Sequence, residues 1–126
     1  PVMIKNGRGA IVNLASGRGV EATPNGIHYA ASKAAIISIT KTLAAEWGPH
    51  GIRVNAIIPA ASETRQPLEA VGVTLDDLRE RGKSTPAGRV GHPDDIAGMV
   101  RILLSEDAAF ITGQSIAING GRIMLP

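Results

Sequence analysis

The sequence predicts an α/β fold in which helices alternate with the strands of a parallel sheet. Short, mostly apolar, β-branched runs occupy residues 10–15, 52–58 and 114–119, and each has the length of a strand buried on both faces. Helical patterns separate these runs, a long one from Ile27 to Trp47 and a shorter one from Pro93. Strands that are joined by helices pair in parallel through right-handed crossovers. We therefore expect one sheet of about three parallel strands with flanking helices.

The first residues have the pattern of a helix end. The apolar piece from Val2 to Ile4 is followed by Lys5, Asn6 and Gly7, which suits the last turn and the C-cap of a helix. Because the sequence opens inside a helix and without Met, we expect that further sequence precedes it.

The long helix that begins at Ile27 ends at Gly48-Pro49, a common helix stop. Its apolar residues fall into two stripes, and a helix that is apolar on two sides is covered on two sides. We expect one side to face the sheet and the other to pack against a second helix, which predicts a homo-oligomer through the Ile27–Trp47 helix. One stripe is Ala30, Ala34, Ile37 and Ala44, and the other is Ile36, Ile39, Leu43 and Trp47.

Two later helices carry recognisable start signals. The motif Thr74-Leu75-Asp76-Asp77 is typical of a capping box and predicts a short helix through Arg81. Pro93 suits the first position of a further helix, and Asp94 and Asp95 suit the positive end of its dipole. We expect this helix to run to about Ser105.

The composition excludes several functional classes. A chain of 126 residues with 44% hydrophobic side chains forms one domain with a packed core. Aromatic residues make up 2% and the net charge is +2 with scattered basic residues, so no nucleic-acid surface is predicted. The lack of Cys suits a cytoplasmic protein, and no apolar run reaches the ~18 residues of a membrane span. His28, His50 and His92 are far apart and lack carboxylates at metal-ligand spacing, so we predict no metal site.

One glycine motif resembles a dinucleotide-binding loop but lacks the helix that such a loop requires. The segment Gly17-Arg18-Gly19-Val20-Glu21-Ala22 fits the dinucleotide fingerprint G-x-G-x-x-G/A and follows a predicted strand. The fingerprint also requires a helix that begins in this loop, because the helix amides meet the pyrophosphate. Pro24 and Gly26 follow instead. We interpret the segment as a plain glycine loop, in which Arg18 faces solvent or touches a substrate or cofactor phosphate.

Three side chains form the candidate catalytic group. Tyr29 and Lys33 stand at positions i and i+4 of the long helix, hence on one face, and a nearby ammonium favours the phenolate form of a tyrosine. Ser16 follows the first strand, where a hydroxyl can hold a carbonyl oxygen while a tyrosine protonates it. The alternative is an amphipathic helix with a tyrosine at its rim, a solvated lysine, and a serine that starts a turn.

These residues belong to a longer series of segments: GAIVNLAS (9–16), YAASKAA (29–35), GPHGIRVNAIIP (48–59), GRVGHPDDIA (88–97), FITGQ (110–114) and NGG (119–121). In this order and spacing, the series resembles the short-chain dehydrogenase/reductase family of the single-domain type. The resemblance covers most of the chain. It implies the C-terminal half of a doubly wound, Rossmann-like parallel-sheet fold, so that residues 1–126 form one partial domain without the glycine-rich cofactor loop.

The resemblance also implies a chemistry. Tyr29 would exchange a proton with the substrate oxygen, and Ser16 would orient the substrate carbonyl. Lys33 would favour the phenolate and bind the nicotinamide ribose, so that Tyr29 and Lys33 also border the cofactor. Hydride would pass between NAD or NADP and a small-molecule carbonyl or secondary alcohol.

Further cofactor contacts are implied after the second strand. Thr64 would meet the nicotinamide carboxamide, and main-chain groups near Pro59 and Ser62 would line the same ring. Three residues depart from the family pattern, the first being Ala15, where the family often has a second serine. Ala60 replaces the usual glycine, and its Cβ is expected to crowd the nicotinamide or to shift the loop. Asn119 replaces a common aspartate.

Two functions remain open at this point. The first is an NAD(P)-dependent oxidoreductase, of which this chain is the substrate-side half. The second is a truncated or remnant chain that acts only in assembly and has no catalytic activity. The presence of Ser16, Tyr29 and Lys33 favours the first, whereas the missing phosphate loop favours the second for this chain alone.

Overall fold

The computed structural model describes residues 1–22, 24–64 and 72–125, and within them it confirms the predicted alternation of strands and helices. The helices are α1 (Val2–Asn6), α2 (Ile27–Trp47), α3 (Leu75–Lys83) and α4 (Pro93–Leu104), and the strands are β1 (Gly9–Leu14), β2 (Ile52–Pro59) and β3 (Ser115–Ile118). Short 3-10 turns add Gly17–Gly19, Gly48–His50 and Glu106–Ala108.

The strands form one parallel sheet in the order β1-β2-β3, which confirms the predicted fold class. Gly9 lies opposite Ile52 in its register. The strand ends differ slightly from the sequence expectation. β1 begins one residue earlier and excludes Ala15, although the Ala15 amide still donates to the carbonyl oxygen of Ile57 at 2.9 Å. β3 is shorter than expected because Asn119 already belongs to the glycine turn that follows.

β2 is the centre of the core because helices cover both of its faces. Val54, Ala56 and Ile58 are fully buried and lie on the side of α2. Ile57 lies on the opposite side, where it packs with Leu103 of α4. A central strand of a parallel sheet is expected to be apolar on both faces, and this burial places its carboxyl end at a fixed point of the molecule.

α2 has the predicted bounds, but the prediction of two separately covered stripes is wrong. Members of both stripes pack together on the sheet, Ile36 beside Ile37 and Leu43 beside Ala44. The two stripes merge because residues three and four apart form one broad apolar arc. Ile39, by contrast, is exposed. In the described residues, neither α2 nor any other helix has the length and apolarity to cross a membrane.

The predicted cap of α1 and the predicted starts of the two later helices are confirmed. α1 stops at Asn6, and Gly7 closes it in the left-handed conformation with φ 64°. Thr74 caps α3, since its hydroxyl accepts the Asp77 amide at 3.1 Å and the Asp77 carboxylate accepts the Thr74 amide at 2.9 Å. α3 continues to Lys83, past the expected end, and the next helix begins at Pro93 as predicted.

Candidate active site

The candidate residues lie at the carboxyl edge of the sheet. Ser16 follows the end of β1, and Ser62 and Thr64 follow the end of the neighbouring strand β2. Tyr29 lies in the first turn of α2, the helix that connects these two strands. Ligands of open α/β sheets bind at this edge, so the structure brings the predicted residues to the place where a site is expected.

Ser16 is fixed at the start of the 3-10 turn that follows β1. Its backbone is extended, and its Oγ accepts the amide of Arg18 at 3.3 Å. The side chain is half-buried. Because the serine oxygen is the acceptor in this contact, its own O–H is free to donate to another group.

Tyr29 and Lys33 lie one helical turn apart, as the sequence spacing predicts. The Lys33 Nζ is 5.6 Å from the centroid of the Tyr29 ring. The same ammonium donates to the carbonyl oxygen of Leu14 at 2.9 Å, which ties α2 to the end of β1 beside Ser16. An ammonium has three donors, so two N–H groups remain for other partners. Lys33 therefore connects the tyrosine to Leu14, the last residue of β1, which lies two residues before Ser16.

A second cation borders the tyrosine. The guanidinium carbon of Arg18 is 5.9 Å from the Tyr29 ring centroid, within the range of a cation–π contact. Motif reasoning did not place this residue against the tyrosine. The only signal in the sequence is an arginine between two glycines just after the strand, and the contact depends on the turn that these glycines form.

Those glycines pack against other elements and form no phosphate cradle. A Cβ on Gly19 would lie 2.7 Å from the carbonyl carbon of Lys33, so the turn approaches the backbone of α2 closely. A Cβ on Gly17 would lie 2.6 Å from the Cδ1 of Ile123 in the C-terminal segment. Small size at these positions thus serves packing, which agrees with the rejection of the dinucleotide fingerprint.

Residues near the C-terminus also contact the loop that follows Ser16. Arg122 forms an ion pair with Glu21. Asn119 is buried, and its amide group donates to the carbonyl oxygen of Ile123 at 2.9 Å, while its oxygen accepts the Gly121 amide at 3.0 Å. An aspartate could make only the second of these bonds, so the asparagine that departs from the family pattern has a structural use.

The loop after β2 begins in register with the sheet. Pro59 is half-buried and pairs with Ile118, and the Ala60 amide donates to the same Ile118 carbonyl at 3.1 Å. In the described residues, Asn25 is the only non-glycine residue with positive φ, so Ala60 needs no conformation reserved for glycine. The effect of its Cβ on a bound nicotinamide stays a prediction.

A bridge to the segment before α4 holds the rest of this loop. Ser62 pairs with Gly91, and the Glu63 amide donates to the Gly91 carbonyl at 2.9 Å. Thr64 is exposed, and its amide donates to the Ser62 carbonyl at 2.7 Å. Its side chain is thus held at the strand end and open to solvent. Residues 65–71, which follow Thr64, lie outside the described residues.

Ion pairs reinforce this arrangement. Arg79 of α3 contacts Glu63 at 2.9 Å. Arg89 contacts both carboxylate oxygens of Asp95 at 2.7 and 2.8 Å, and the amide of His92 donates to Asp95 at 2.8 Å. The Arg89 guanidinium, aided by the His92 amide, holds the pKa of the Asp95 carboxyl well below its usual range. These contacts anchor the segment that contains Gly91, and hence the loop that contains Thr64.

His92 and the two strand asparagines have structural roles. The His92 ring caps α4 by accepting the Asp94 amide at 3.3 Å. Asn13 donates to Thr40 at 2.9 Å, and Asn55 donates to the carbonyl oxygen of Ile111 at 2.8 Å. Among the described residues, no cluster of three metal-ligating side chains occurs.

A family model described as enoyl-(acyl carrier protein) reductase matches residues 1–122. The chain belongs to the short-chain dehydrogenase/reductase family. An NAD-dependent glycerol dehydrogenase of Listeria innocua is 43% identical over 120 residues, which are 94% of this chain and 46% of that protein. The chain therefore spans about half the length of this curated relative.

Solved structures of the family have the same fold. A 3-oxoacyl-[acyl-carrier protein] reductase of Brucella melitensis superposes with a TM-score of 0.87 at 43% identity, over 99% of this chain and 46% of that one. A gluconate 5-dehydrogenase of Burkholderia cenocepacia, solved with NADP and tartrate, superposes with a TM-score of 0.85 at 34% identity, over 95% and 47% of the two chains. The chain thus has the architecture of roughly half of a short-chain dehydrogenase/reductase, and its relatives are dehydrogenases and reductases.

Proposed function

We propose that this chain is the substrate-side half of an NAD(P)-dependent oxidoreductase, which transfers hydride between a nicotinamide cofactor and a carbonyl or secondary alcohol. The observation that carries the proposal is the position of Lys33. Its ammonium lies 5.6 Å from the Tyr29 ring centroid and 2.9 Å from the Leu14 carbonyl. The Lys33 ammonium therefore contacts both the tyrosine ring and the end of the strand that precedes Ser16.

Tyr29 exchanges the proton with the substrate oxygen. During carbonyl reduction, its hydroxyl protonates the oxygen as negative charge develops there, and during alcohol oxidation its phenolate accepts the proton. The Lys33 ammonium lies beside the tyrosine ring, and the Leu14 carbonyl keeps that ammonium in place. The helical turn that separates the two residues fixes their spacing.

Ser16 orients the substrate. Its oxygen already accepts the Arg18 amide, so its O–H is free to donate to a substrate. A substrate carbonyl oxygen between Ser16 and Tyr29 would receive two hydrogen bonds, one of which becomes a proton transfer. Preorganised donors of this kind stabilise the charge that develops on the oxygen.

The residues present fit the nicotinamide end of the cofactor. When bound, the nicotinamide ring donates or accepts the hydride. The two free N–H groups of Lys33 suit the hydroxyls of a ribose. Thr64, exposed at the end of β2, suits the carboxamide, and the main chain at Pro59 and Ser62 would border the same ring. The glycine turn after Ser16 is packed against α2, so it leaves no room there for a pyrophosphate.

A chain that acts only in assembly is the second candidate. It is favoured by the fact that the chain spans 46% of its Listeria innocua relative and that the described residues offer no pyrophosphate cradle. The two proposals differ in whether the Tyr29 group supports turnover once the rest of a family domain is supplied.

The test is a chimera that joins all 126 residues to the part of the Listeria innocua dehydrogenase that this chain does not cover. We expect oxidation of NADH or NADPH with members of a ketone panel. Tyr29→Phe and Lys33→Met should each lower kcat/KM by about 10²- to 10⁴-fold, the usual contribution of general acid–base catalysis. Thr42→Val and Lys41→Met remove the same kinds of group from exposed positions further along α2, and should retain full activity.

Folding and cofactor binding are measured beside turnover, by thermal melting and by fluorescence of bound NADH. A chimera that melts cooperatively and binds NADH but reduces none of the ketones would contradict the oxidoreductase proposal and support the assembly role. Equal losses in the Lys33 and Lys41 variants would also contradict it, because the effect would then not depend on the site.

A further inference from the structure

We infer that Arg18 selects anionic substrates, and that the reaction proposed above acts on small oxo or hydroxy acids whose carboxylate pairs with this guanidinium. The inference rests on the proposed function and adds the class of substrate. It starts from one residue that contacts both hydroxyl-bearing members of the candidate catalytic group. The Arg18 amide donates to the Ser16 Oγ at 3.3 Å, and its guanidinium carbon lies 5.9 Å from the Tyr29 ring centroid.

Its guanidinium is available for a ligand. Arg79 pairs with Glu63, Arg89 with Asp95, and Arg122 with Glu21. In residues 1–22, 24–64 and 72–125, no carboxylate lies within ion-pair distance of Arg18. The guanidinium of Arg18 is therefore exposed beside the tyrosine. Glu21, the acidic residue of the same loop, pairs with Arg122 instead.

The guanidinium lies against a neighbouring backbone segment. A Cβ on Gly26 would lie 2.8 Å from the Nη1 of Arg18, so the side chain rests against the backbone just before α2. The 3-10 turn of Gly17–Gly19 holds the arginine backbone, with Gly19 packed on the Lys33–Ala34 peptide. A guanidinium held in this way presents its N–H groups at a defined place, where a carboxylate can bind two of them at once.

A carboxylate on the substrate would help to position the reacting carbonyl group. A small oxo acid has its carbonyl close to its carboxylate, so pairing with Arg18 would bring the carbonyl oxygen toward Ser16 and Tyr29. The carboxylate keeps its charge during hydride transfer, and Arg18 therefore binds the substrate and the transition state about equally. Loss of such a contact raises KM and leaves kcat nearly unchanged.

The kinetic experiment uses the chimera with acetoacetate and with acetoacetamide, a neutral compound of nearly the same shape, and extends to other oxo acids with their amides. We expect the acid to be preferred. Arg18→Met should raise KM for the acid about 10- to 100-fold, the usual effect of losing a charge-assisted contact, and leave the amide unchanged. Arg18→Lys should restore part of the preference, and Arg101→Met, an exposed site on α4, should have no effect.

A binding experiment on the chimera does not depend on turnover. Saturation-transfer NMR should show contact with acetoacetate but not with acetoacetamide, and Arg18→Met should remove it. Selective binding without turnover in the chimera would overturn the proposed function and keep the role of Arg18. Turnover of acid and amide with equal efficiency, or acid binding that survives Arg18→Met, would overturn the role of Arg18 and leave the oxidoreductase intact.

Discussion

Gly19 determines how closely the serine loop approaches the helix that contains Tyr29 and Lys33. An added Cβ would lie 2.7 Å from the carbonyl carbon of Lys33 and 2.8 Å from the nitrogen of Ala34, both of them backbone atoms. Backbone cannot rotate away as a flexible side chain does, so the turn itself has to move. Because Ser16 is the cap of this turn, its hydroxyl would move as well.

We therefore predict that Gly19→Ala destabilises the fold by about 1–3 kcal/mol, the usual cost of overpacking a tight contact. Gly48→Ala is the matched control. Gly48 has φ −54° and ψ −44°, and a Cβ there meets nothing within 4 Å, so alanine should be neutral or stabilise by about 0.4–1 kcal/mol. Urea denaturation of the chimera measures both. A Gly19→Ala protein as stable as the Gly48→Ala protein would show that the turn accommodates the added Cβ without strain, against the prediction.

The sequence predicted part of the site at the residue scale. Helical spacing alone placed Tyr29 and Lys33 on one face, and the structure has them so. The bond from Lys33 to the Leu14 carbonyl and the approach of Arg18 to the tyrosine could not be predicted in the same way. Both depend on how the chain turns after β1, and that path is set by contacts with distant segments such as Ile123. The catalytic roles themselves stay predictions.

At the scale of elements, the start of α4 is a small electrostatic unit that positions the loop after β2. Asp95 accepts hydrogen bonds from Arg89 and from the His92 amide, and these contacts favour its charged form and lower its pKa. A carboxyl group whose pKa is lowered by folding stabilises the fold above its unfolded pKa of about 4. That contribution is lost as the pH falls below this value.

We accordingly predict that Asp95→Asn lowers the melting temperature at pH 7 and that the difference from the parent shrinks between pH 4 and pH 2. Asp94→Asn, its exposed neighbour in the same turn, also removes one negative charge from the helix start, but it leaves the Arg89 pair intact. It should therefore show a smaller change at pH 7. Thermal melting across this pH range checks the prediction, and a constant offset for Asp95→Asn at every pH would count against it.

Element boundaries were predicted well where local chemistry sets them. The Gly7 cap, the Thr74 capping box and Pro93 each mark a helix end in the structure. The arrangement of the α2 stripes was not predicted correctly, because it depends on which helix face meets the sheet. That choice is made by tertiary packing around the buried Thr40, whose hydroxyl accepts a hydrogen bond from Asn13 of β1.

At the scale of the whole molecule, family membership explains features that composition does not. The length and the hydrophobic content suit a complete domain, whereas the relatives show that the chain covers 46% of a family member. The described part of the sheet has only three strands, with β1 and β3 at its edges. Helix and strand patterns alone did not predict what share of a family member the chain covers.

These exposed surfaces lead to a prediction about the chain by itself. β1 pairs with β2 on one side only within the described residues, and an unpaired strand edge is a template for association. Large apolar side chains are also exposed, among them Val2, Ile27 and Phe110, and exposed apolar surface marks sites that another surface covers. We predict that the 126-residue chain self-associates or is marginally stable.

Co-expression with the part of the Listeria innocua dehydrogenase that the chain does not cover should reverse this behaviour, because that part would supply a strand for the β1 edge and apolar surface against the exposed side chains. Size-exclusion chromatography with light scattering and thermal melting measure both states. We expect polydisperse or weakly cooperative behaviour for the chain alone and one cooperative transition for the pair. A monodisperse monomer that melts cooperatively without a partner would mean that three strands and their helices form a sufficient core, so that the edge of β1 needs no cover.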